Sequence, residues 1–133
     1  AEIPSANGHG SAEGLAKLYG ILSSGGSRDN KKLISPQTLD LITTQISNGP
    51  DTVLMGGDVA FGLGYMLYNK TARVEESPKH TKGYFGHAGI GGAVAYGDKD
   101  KNLGFAFVCN KEHEIRELYK TSNEMSQALH SII

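Results

Sequence analysis

Apolar residues recur at helical spacing in three segments of the chain. The first segment predicts a helix over residues 12–23, with Ser11 as its N-cap and the glycines of "SSGGS" at its end. A second helix is predicted from Ser35-Pro36 to the breaker "SNGP", and a third from about Glu112 to the C-terminus. The three apolar stripes are Leu15, Leu18, Tyr19 and Leu22, then Leu39, Ile42 and Ile46, then Ile115, Leu118, Tyr119, Met125, Leu129 and Ile132.

Two other stretches alternate bulky residues with glycine or alanine, which is typical of strands. They are "FGLGYMLY" over residues 61–68 and "LGFAFVC" over residues 103–109. The face with glycine and alanine, here called the bare face, allows a helix to approach closely. The face with large side chains, here called the bulky face, must be covered by a second layer of structure. "GAVAYGD" precedes the turn-forming residues 98–102, so it is predicted to form a hairpin with "LGFAFVC". The pattern predicts the α+β class, with an antiparallel sheet of three strands and helices packed on it.

The length of 133 residues fits one domain, and residues 69–82 are polar and read as a connection between strands. The chain has 13 basic and 14 acidic residues, which gives no excess charge for binding nucleic acid or an anionic membrane. No apolar run approaches the ~20 residues of a membrane span, and no signal peptide is recognised. Because the chain begins "AEIPSANG" without methionine, it is expected to be a fragment, and its localisation stays open with a preference for the cell interior.

Metals and cofactors are not expected. The five histidines lie in separate predicted elements, and no histidine pair has the spacing of a zinc helix. His80 and His130 read as solvated surface residues. The lone Cys109 cannot form an internal disulfide and is predicted to be a buried free thiol. The glycine-rich phosphate-binding motifs do not occur.

His87 stands out because it lies in the glycine-rich run "FGHAGIGG", where neither residue type favours a strand. At the start of an inner strand, its side chain and the next backbone amides would face the same cleft. A histidine at the end of a strand, with water molecules as its only hydrogen-bond partners, would give the same sequence pattern. Local physics leaves both interpretations open.

Several stretches taken together resemble the C-terminal third of the β-lactamase-related serine hydrolases, from about residue 3 onward. The stretches are "PSANGHGSAEGLAKLYGIL", "LISPQTLDLIT", "FGLGYML", "FGHAGIGGAVAYGDKDKNLGFAFVCN" and the last helix. That group includes β-lactamases, penicillin-binding proteins, D-aminopeptidases, esterases and animal β-lactamase-like proteins. In it a serine of an S-x-x-K motif attacks an amide or ester carbonyl, and an acyl-serine forms and is hydrolysed.

The resemblance implies roles for the run His87-Ala88-Gly89, which matches the H-x-G motif of the group. The Ile90 amide would be one of two donors to the oxyanion, and Gly89 would keep bulk out of the path of the substrate. His87 would donate a hydrogen bond to a substrate carboxylate or take part in proton transfer, and Ala88 would touch the substrate. Asn7, in the triplet Ser5-Ala6-Asn7, is assigned to the rim of the site together with His9.

The nucleophile motif is absent, because no serine of the chain is followed three positions later by lysine. The isolated chain is therefore expected to be inactive, with a missing N-terminal part of the same polypeptide as its partner and a small-molecule or peptide amide or ester as the substrate of the intact protein. The alternative is a non-catalytic β-lactamase-like module for binding or assembly. Truncation would also expose a sheet edge and favour association between copies.

Overall fold

The computed structural model describes residues 3–4, 8–54, 57–69, 82–112, 114 and 117–133. These residues form three helices and eight strands. The helices are α1 (Ala12–Ser23), α2 (Pro36–Ile42) and α3 (Lys120–His130). The strands are β1 (Ser27–Arg28), β2 (Lys31–Lys32), β3 (Ser47–Pro50), β4 (Asp58–Phe61), β5 (Met66–Leu67), β6 (Tyr84–Ala88), β7 (Val94–Asp98) and β8 (Leu103–Phe107).

The main sheet contains six antiparallel strands in the order in which they occur along the chain, from β3 to β8. β1 and β2 form a separate hairpin whose turn residues, Asp29 and Asn30, have φ of 50° and 63°. The predicted α+β class with helices packed on an antiparallel sheet is confirmed. The predicted number of three strands was too low. The additional strand β6 has five residues and includes Gly86 and His87, the other additional strands have two to four residues each, and none of them shows a readable alternation.

The first helix was predicted with the observed bounds, and Ser11 caps it by accepting a hydrogen bond from the Gly14 amide at 3.0 Å. The second helix is shorter than predicted. The Thr43 hydroxyl bonds back to the carbonyl oxygen of Leu39 at 2.8 Å, and the Ile46 amide donates to Phe61 of β4 at 2.8 Å. Pairing with β4 therefore replaces the last predicted helical turn, and the predicted breaker "SNGP" forms β3.

The stretch "FGLGYMLY" is a hairpin and not a continuous strand, which corrects the prediction. The Gly62 amide donates to the Tyr65 carbonyl at 2.9 Å, and Gly64 has a φ of 88°. A Cβ at Gly62 would collide with the carbonyl oxygen of Ile42. The glycines therefore mark a turn between β4 and β5.

The bare face of β8 receives α1, as predicted. A Cβ at Gly104 would collide with the Ala16 carbonyl oxygen and the Gly20 amide of α1, so the approach requires glycine. A small apolar cluster forms on this face of the sheet. Its buried members are Tyr19, Leu22, Leu39 and Phe85, with Tyr65, Leu67 and Ala95 packed against them.

The bulky face of β8 is covered by α3 and by the two residues before it. The buried cluster on this side consists of Tyr84, Val94, Tyr96, Phe105, Leu118 and Tyr119. α3 begins at Lys120, later than the predicted Glu112, and its buried residues are Ser122 and Ser126, whereas Met125 is 50 % exposed. The predicted apolar stripe was therefore correct at Leu118 and Tyr119, which precede α3, and at Leu129, and it was wrong at Met125 and Ile132, which are exposed. Ile115 lies outside the described residues.

His130 is not the solvated residue that its sequence context predicted. Its side chain is 15 % exposed, and its Nε2 lies 3.4 Å from Oδ2 of Asp98, which is fully buried. Its Nδ1 lies 3.0 Å from the Ser126 carbonyl oxygen. A buried carboxylate requires polar partners, and α3 supplies one at this position.

Some predictions fall on residues outside the described ranges. They concern His80, most of the connection over 69–82, and Ser5-Ala6-Asn7. Within the described ranges, no helix has the length and apolar character needed to cross a membrane.

Candidate functional site

The site predicted from the sequence lies where β6 changes from an interior strand to an edge strand. Leu67 and Met66 of β5 pair with Phe85 and Gly86. Beyond Gly86 the described residues provide no strand on that side, while β7 continues to pair on the other side as far as Ala88. His87 is exposed and shares a face of the sheet with Phe85, because side chains alternate along a strand.

The imidazole of His87 is oriented by the backbone next to it. Its Nδ1 lies 2.8 Å from the carbonyl oxygen of Ala88. Because a carbonyl oxygen only accepts hydrogen bonds, the proton is assigned to Nδ1. Neutral His87 thus offers the lone pair of Nε2, and only the imidazolium can also donate from Nε2.

A tight turn follows β6 and contains the predicted oxyanion donor. The Gly89 amide donates to the Ala93 carbonyl at 2.7 Å, and the Gly92 amide donates to the Gly89 carbonyl at 2.9 Å. Ile90 is therefore the second residue of a four-residue turn, and its amide has no hydrogen-bond partner within the described part of the chain. Its side chain is 75 % exposed. This geometry is compatible with the predicted donor role, which stays a prediction.

Packing does not explain the glycine at position 89. A Cβ there would meet nothing nearer than the Ala93 carbonyl oxygen at 3.8 Å, which is ordinary contact. At Gly86 a Cβ would instead collide with the Ala95 carbonyl oxygen, and Gly92 has a φ of 94°. A small side chain would therefore fit at position 89, and the predicted role of Gly89 stays a prediction.

The turn is supported from behind by the segment that follows β8. Cys109 is a free, half-buried thiol that donates to the Gly91 carbonyl at 3.4 Å, and a Cβ at Gly91 would touch the Glu112 side chain at 3.4 Å. Among the described residues, no three histidine, cysteine, aspartate or glutamate side chains are grouped so that they could hold a metal ion. The chemistry that these residues offer is hydrogen bonding by an amide and an imidazole.

A model of the beta-lactamase family matches residues 1–129 of the chain. The chain belongs to the beta-lactamase family. This membership confirms the resemblance from which the H-x-G assignment was made.

The relatives of this beta-lactamase-family chain include esterases and penicillin-binding proteins. It is 30 % identical to esterase/beta-lactamase LipL of Mycobacterium tuberculosis over 112 residues, which cover 84 % of the chain and 24 % of LipL. A penicillin-binding protein homologue from Caulobacter crescentus matches with a TM-score of 0.73 and 37 % identity, over 84 % of this chain and 29 % of the homologue. A family VIII carboxylesterase matches with a TM-score of 0.72 and 27 % identity, over 90 % of this chain and 34 % of the esterase. The chain therefore spans only a quarter to a third of these relatives.

Of the remaining predicted site residues, the structure describes His9 and Ala88. Asn7 lies outside the described residues, and His9 is exposed ahead of α1. The Ala88 side chain packs against the cluster on the opposite face of the sheet from His87. A contact between Ala88 and a substrate would therefore have to involve its backbone, and its substrate-binding role stays a prediction.

A group of aromatic residues beside His87 was not recognised from the sequence. Tyr65 meets Phe85 edge-on with ring centroids 5.4 Å apart, and Tyr19 lies 6.1 Å from Tyr65. Burial raises the pKa of Tyr65, and burial together with the nearby Tyr65 raises the pKa of Tyr19 to about 12. Both residues were predicted on apolar faces, but only the pairing of β5 with β6 shows that Tyr65 lies beside the site.

Proposed function

We propose that the chain forms the oxyanion side of a serine-hydrolase active site that cleaves an amide or ester through an acyl-serine intermediate. The family and its esterase relatives support a serine-hydrolase fold. In this proposal the nucleophile belongs to polypeptide outside the 133 residues, since the chain contains no S-x-x-K motif. The isolated chain is accordingly proposed to be inactive.

The Ile90 amide, which has no hydrogen-bond partner in the part of the chain that the structure describes, is the observation that carries the proposal. Attack on a carbonyl carbon places negative charge on its oxygen, and donors fixed in advance stabilise that charge without reorganising. The amide belongs to a closed turn, because Gly89 is bonded to Ala93 and Gly92 is bonded to Gly89. Gly89 has no side chain that could obstruct the approach of a carbonyl group to this donor.

His87 would act through Nε2, because its Nδ1–H is engaged by Ala88. A substrate carboxylate would need the imidazolium form, which donates from Nε2. A hydroxyl group that passes its proton to the site would instead need the neutral form, which accepts at Nε2. The pH profile of hydrolysis distinguishes the two roles, since the first is favoured in acid and the second in weak alkali.

The experiment uses the longest natural polypeptide that contains this chain, treated with a fluorophosphonate probe in competition with penicillin. We expect covalent labelling of a serine outside the 133 residues and no labelling of the isolated chain. His87→Ala should reduce turnover of an ester substrate. His87→Lys keeps a cationic donor but has no acceptor at this position, so it should keep turnover only if His87 binds a substrate carboxylate.

The same experiment tests the alternative of a non-catalytic module, because the S-x-x-K motif that would decide between the two is not part of the 133 residues. A folded full-length protein that the probe does not label would contradict the hydrolase proposal. If the His87→Ala variant of that unlabelled protein kept its binding or assembly behaviour, this result would support the non-catalytic module.

A further inference from the structure

Tyr65 stands directly across from His87. The register that pairs Met66 with Gly86 and Leu67 with Phe85 places residue 65 opposite residue 87. Residues that face each other across antiparallel strands project to the same side of the sheet. The contact between the rings of Tyr65 and Phe85 confirms that this side is the one His87 occupies.

The Tyr65 ring is held in place but not enclosed. Phe85 and Tyr19 contact it at 5.4 and 6.1 Å between ring centroids, with interplanar angles of 87° and 71°. Its side chain is nevertheless only half-buried. Packing therefore fixes the ring on two sides, and the register places Tyr65 across from His87 at the edge of the strand.

The two turns next to Tyr65 and His87 each expose an apolar residue. Leu63, in the same turn, is 46 % exposed, and Ile90, after His87, is 75 % exposed. Burial raises the pKa of Tyr65, so its hydroxyl is neutral at physiological pH. These properties match an alkyl or aryl group of an ester or amide better than a charged one.

We propose that Tyr65 determines substrate specificity by limiting the size of the apolar group that lies beside His87. This inference rests on the proposed hydrolase function and adds the chemical class of the substrate group. The ring forms a rigid wall, because Phe85 and Tyr19 fix its position. The proposal assigns the role to the ring and not to the hydroxyl.

The test measures kcat/KM of the longest natural polypeptide containing this chain on two ester series. One series varies the acyl chain of p-nitrophenyl esters from acetate to hexanoate, and the other varies the alcohol of acetate esters over the same lengths. The measured quantity is the ratio of the longest to the shortest ester within each series. This ratio does not depend on the folded fraction of a variant, because both substrates are assayed with the same preparation of that variant.

Tyr65→Ala should raise this ratio about tenfold in one of the two series, because discrimination by a small apolar pocket is of that order. Tyr65→Phe keeps the ring and should leave both ratios within about twofold of the wild type. Tyr68→Ala is the matched control, because Tyr68 packs against the cluster on the opposite face of the sheet. It should leave both ratios unchanged.

Two results would overturn the proposal, and they differ from each other. If the wild type hydrolyses esters and Tyr65→Ala leaves both ratios unchanged, the specificity role is wrong while the hydrolase function stands. If the wild type hydrolyses no ester or amide and no probe labels it, the hydrolase function fails and the specificity role fails with it.

Discussion

Replacing Ile90 with proline removes the proposed oxyanion donor and changes little else. Proline has no backbone N–H, and the Ile90 amide has no partner in the described structure that the substitution would break. Ile90 is the second residue of the turn that the bond from Gly92 to Gly89 closes, and proline favours this position. The preceding Gly89 has no side chain to clash with the proline ring.

The expected effects on activity and on stability have opposite signs. Loss of one oxyanion donor lowers kcat roughly a hundred- to a thousandfold, which corresponds to about 3 kcal/mol of transition-state stabilisation. Proline at a compatible position instead raises the free energy of unfolding by about 0.4–1 kcal/mol, because it restricts the unfolded chain. The Ile90 side chain is 75 % exposed, so its loss should change stability by no more than about 0.5 kcal/mol.

The assay compares Ile90→Pro with Ile90→Ala, which removes the side chain but keeps the amide. Ester hydrolysis is measured in the longest natural polypeptide that contains this chain, and urea unfolding reports the stability of both variants. Ile90→Ala should retain most of the wild-type kcat. If a stably folded Ile90→Pro variant retained a kcat within about threefold of that of Ile90→Ala, this amide would not be the oxyanion donor.

Three further predictions follow from packing and burial. Gly86→Ala should lower the free energy of unfolding by about 1–3 kcal/mol, because its Cβ collides with the backbone of β7, whereas Gly89→Ala should leave stability nearly unchanged and lower kcat. Urea unfolding combined with ester hydrolysis separates these outcomes, and equal destabilisation would contradict them. Burial raises the pKa of Tyr19 and Tyr96 from 10.0 to about 12, so the unfolded chain loses these protons first. The free energy of unfolding should therefore keep this contribution below pH 10 and lose it as the pH rises towards 12. A urea midpoint that stays constant between pH 10 and 12 would refute the raised pKa values of the two tyrosines. The isolated chain should self-associate through the outer edge of β8, which has no strand partner in the described part of the chain. Sedimentation that gives a clean monomer at high concentration would contradict this.

Local signals predicted the elements whose determinants are adjacent in the sequence. Ser11 caps α1 through the Gly14 amide, and both lie within the first turn. The hairpin of β7 and β8 follows from alternation on both sides of a turn that contains Asn102, which has a φ of 50°. The length of α2 depended instead on β4, which pairs with residues that the helical pattern would have included.

The surface of α3 that meets the sheet could not be predicted from hydrophobicity. Tyr96 and Phe105 stack with ring centroids 5.1 Å apart and already fill the layer beneath the helix. The helix therefore turns Ser122 and Ser126 inward, and the Ser126 hydroxyl lies 2.5 Å from that of Tyr96. The helix needs small residues on this side because Tyr96 and Phe105 of the sheet occupy the space beneath it. The sequence of α3 alone contains no information about the size of those strand residues.

The mistaken strand over residues 61–68 and the open site have one structural cause. Had "FGLGYMLY" continued as a strand in the observed register, residues 62–65 would pair with residues 87–90 and engage the Ile90 amide. The chain turns instead at Gly62 and Gly64, so β5 begins only at Met66 and no strand among the described residues pairs with that edge of β6 beyond Gly86. Alternation of glycine with bulky residues is common to a strand and to this turn, so the sequence alone could not distinguish them. The run from His87 to Ile90 was recognisable because it is contiguous, whereas its exposure depends on a turn more than twenty residues earlier.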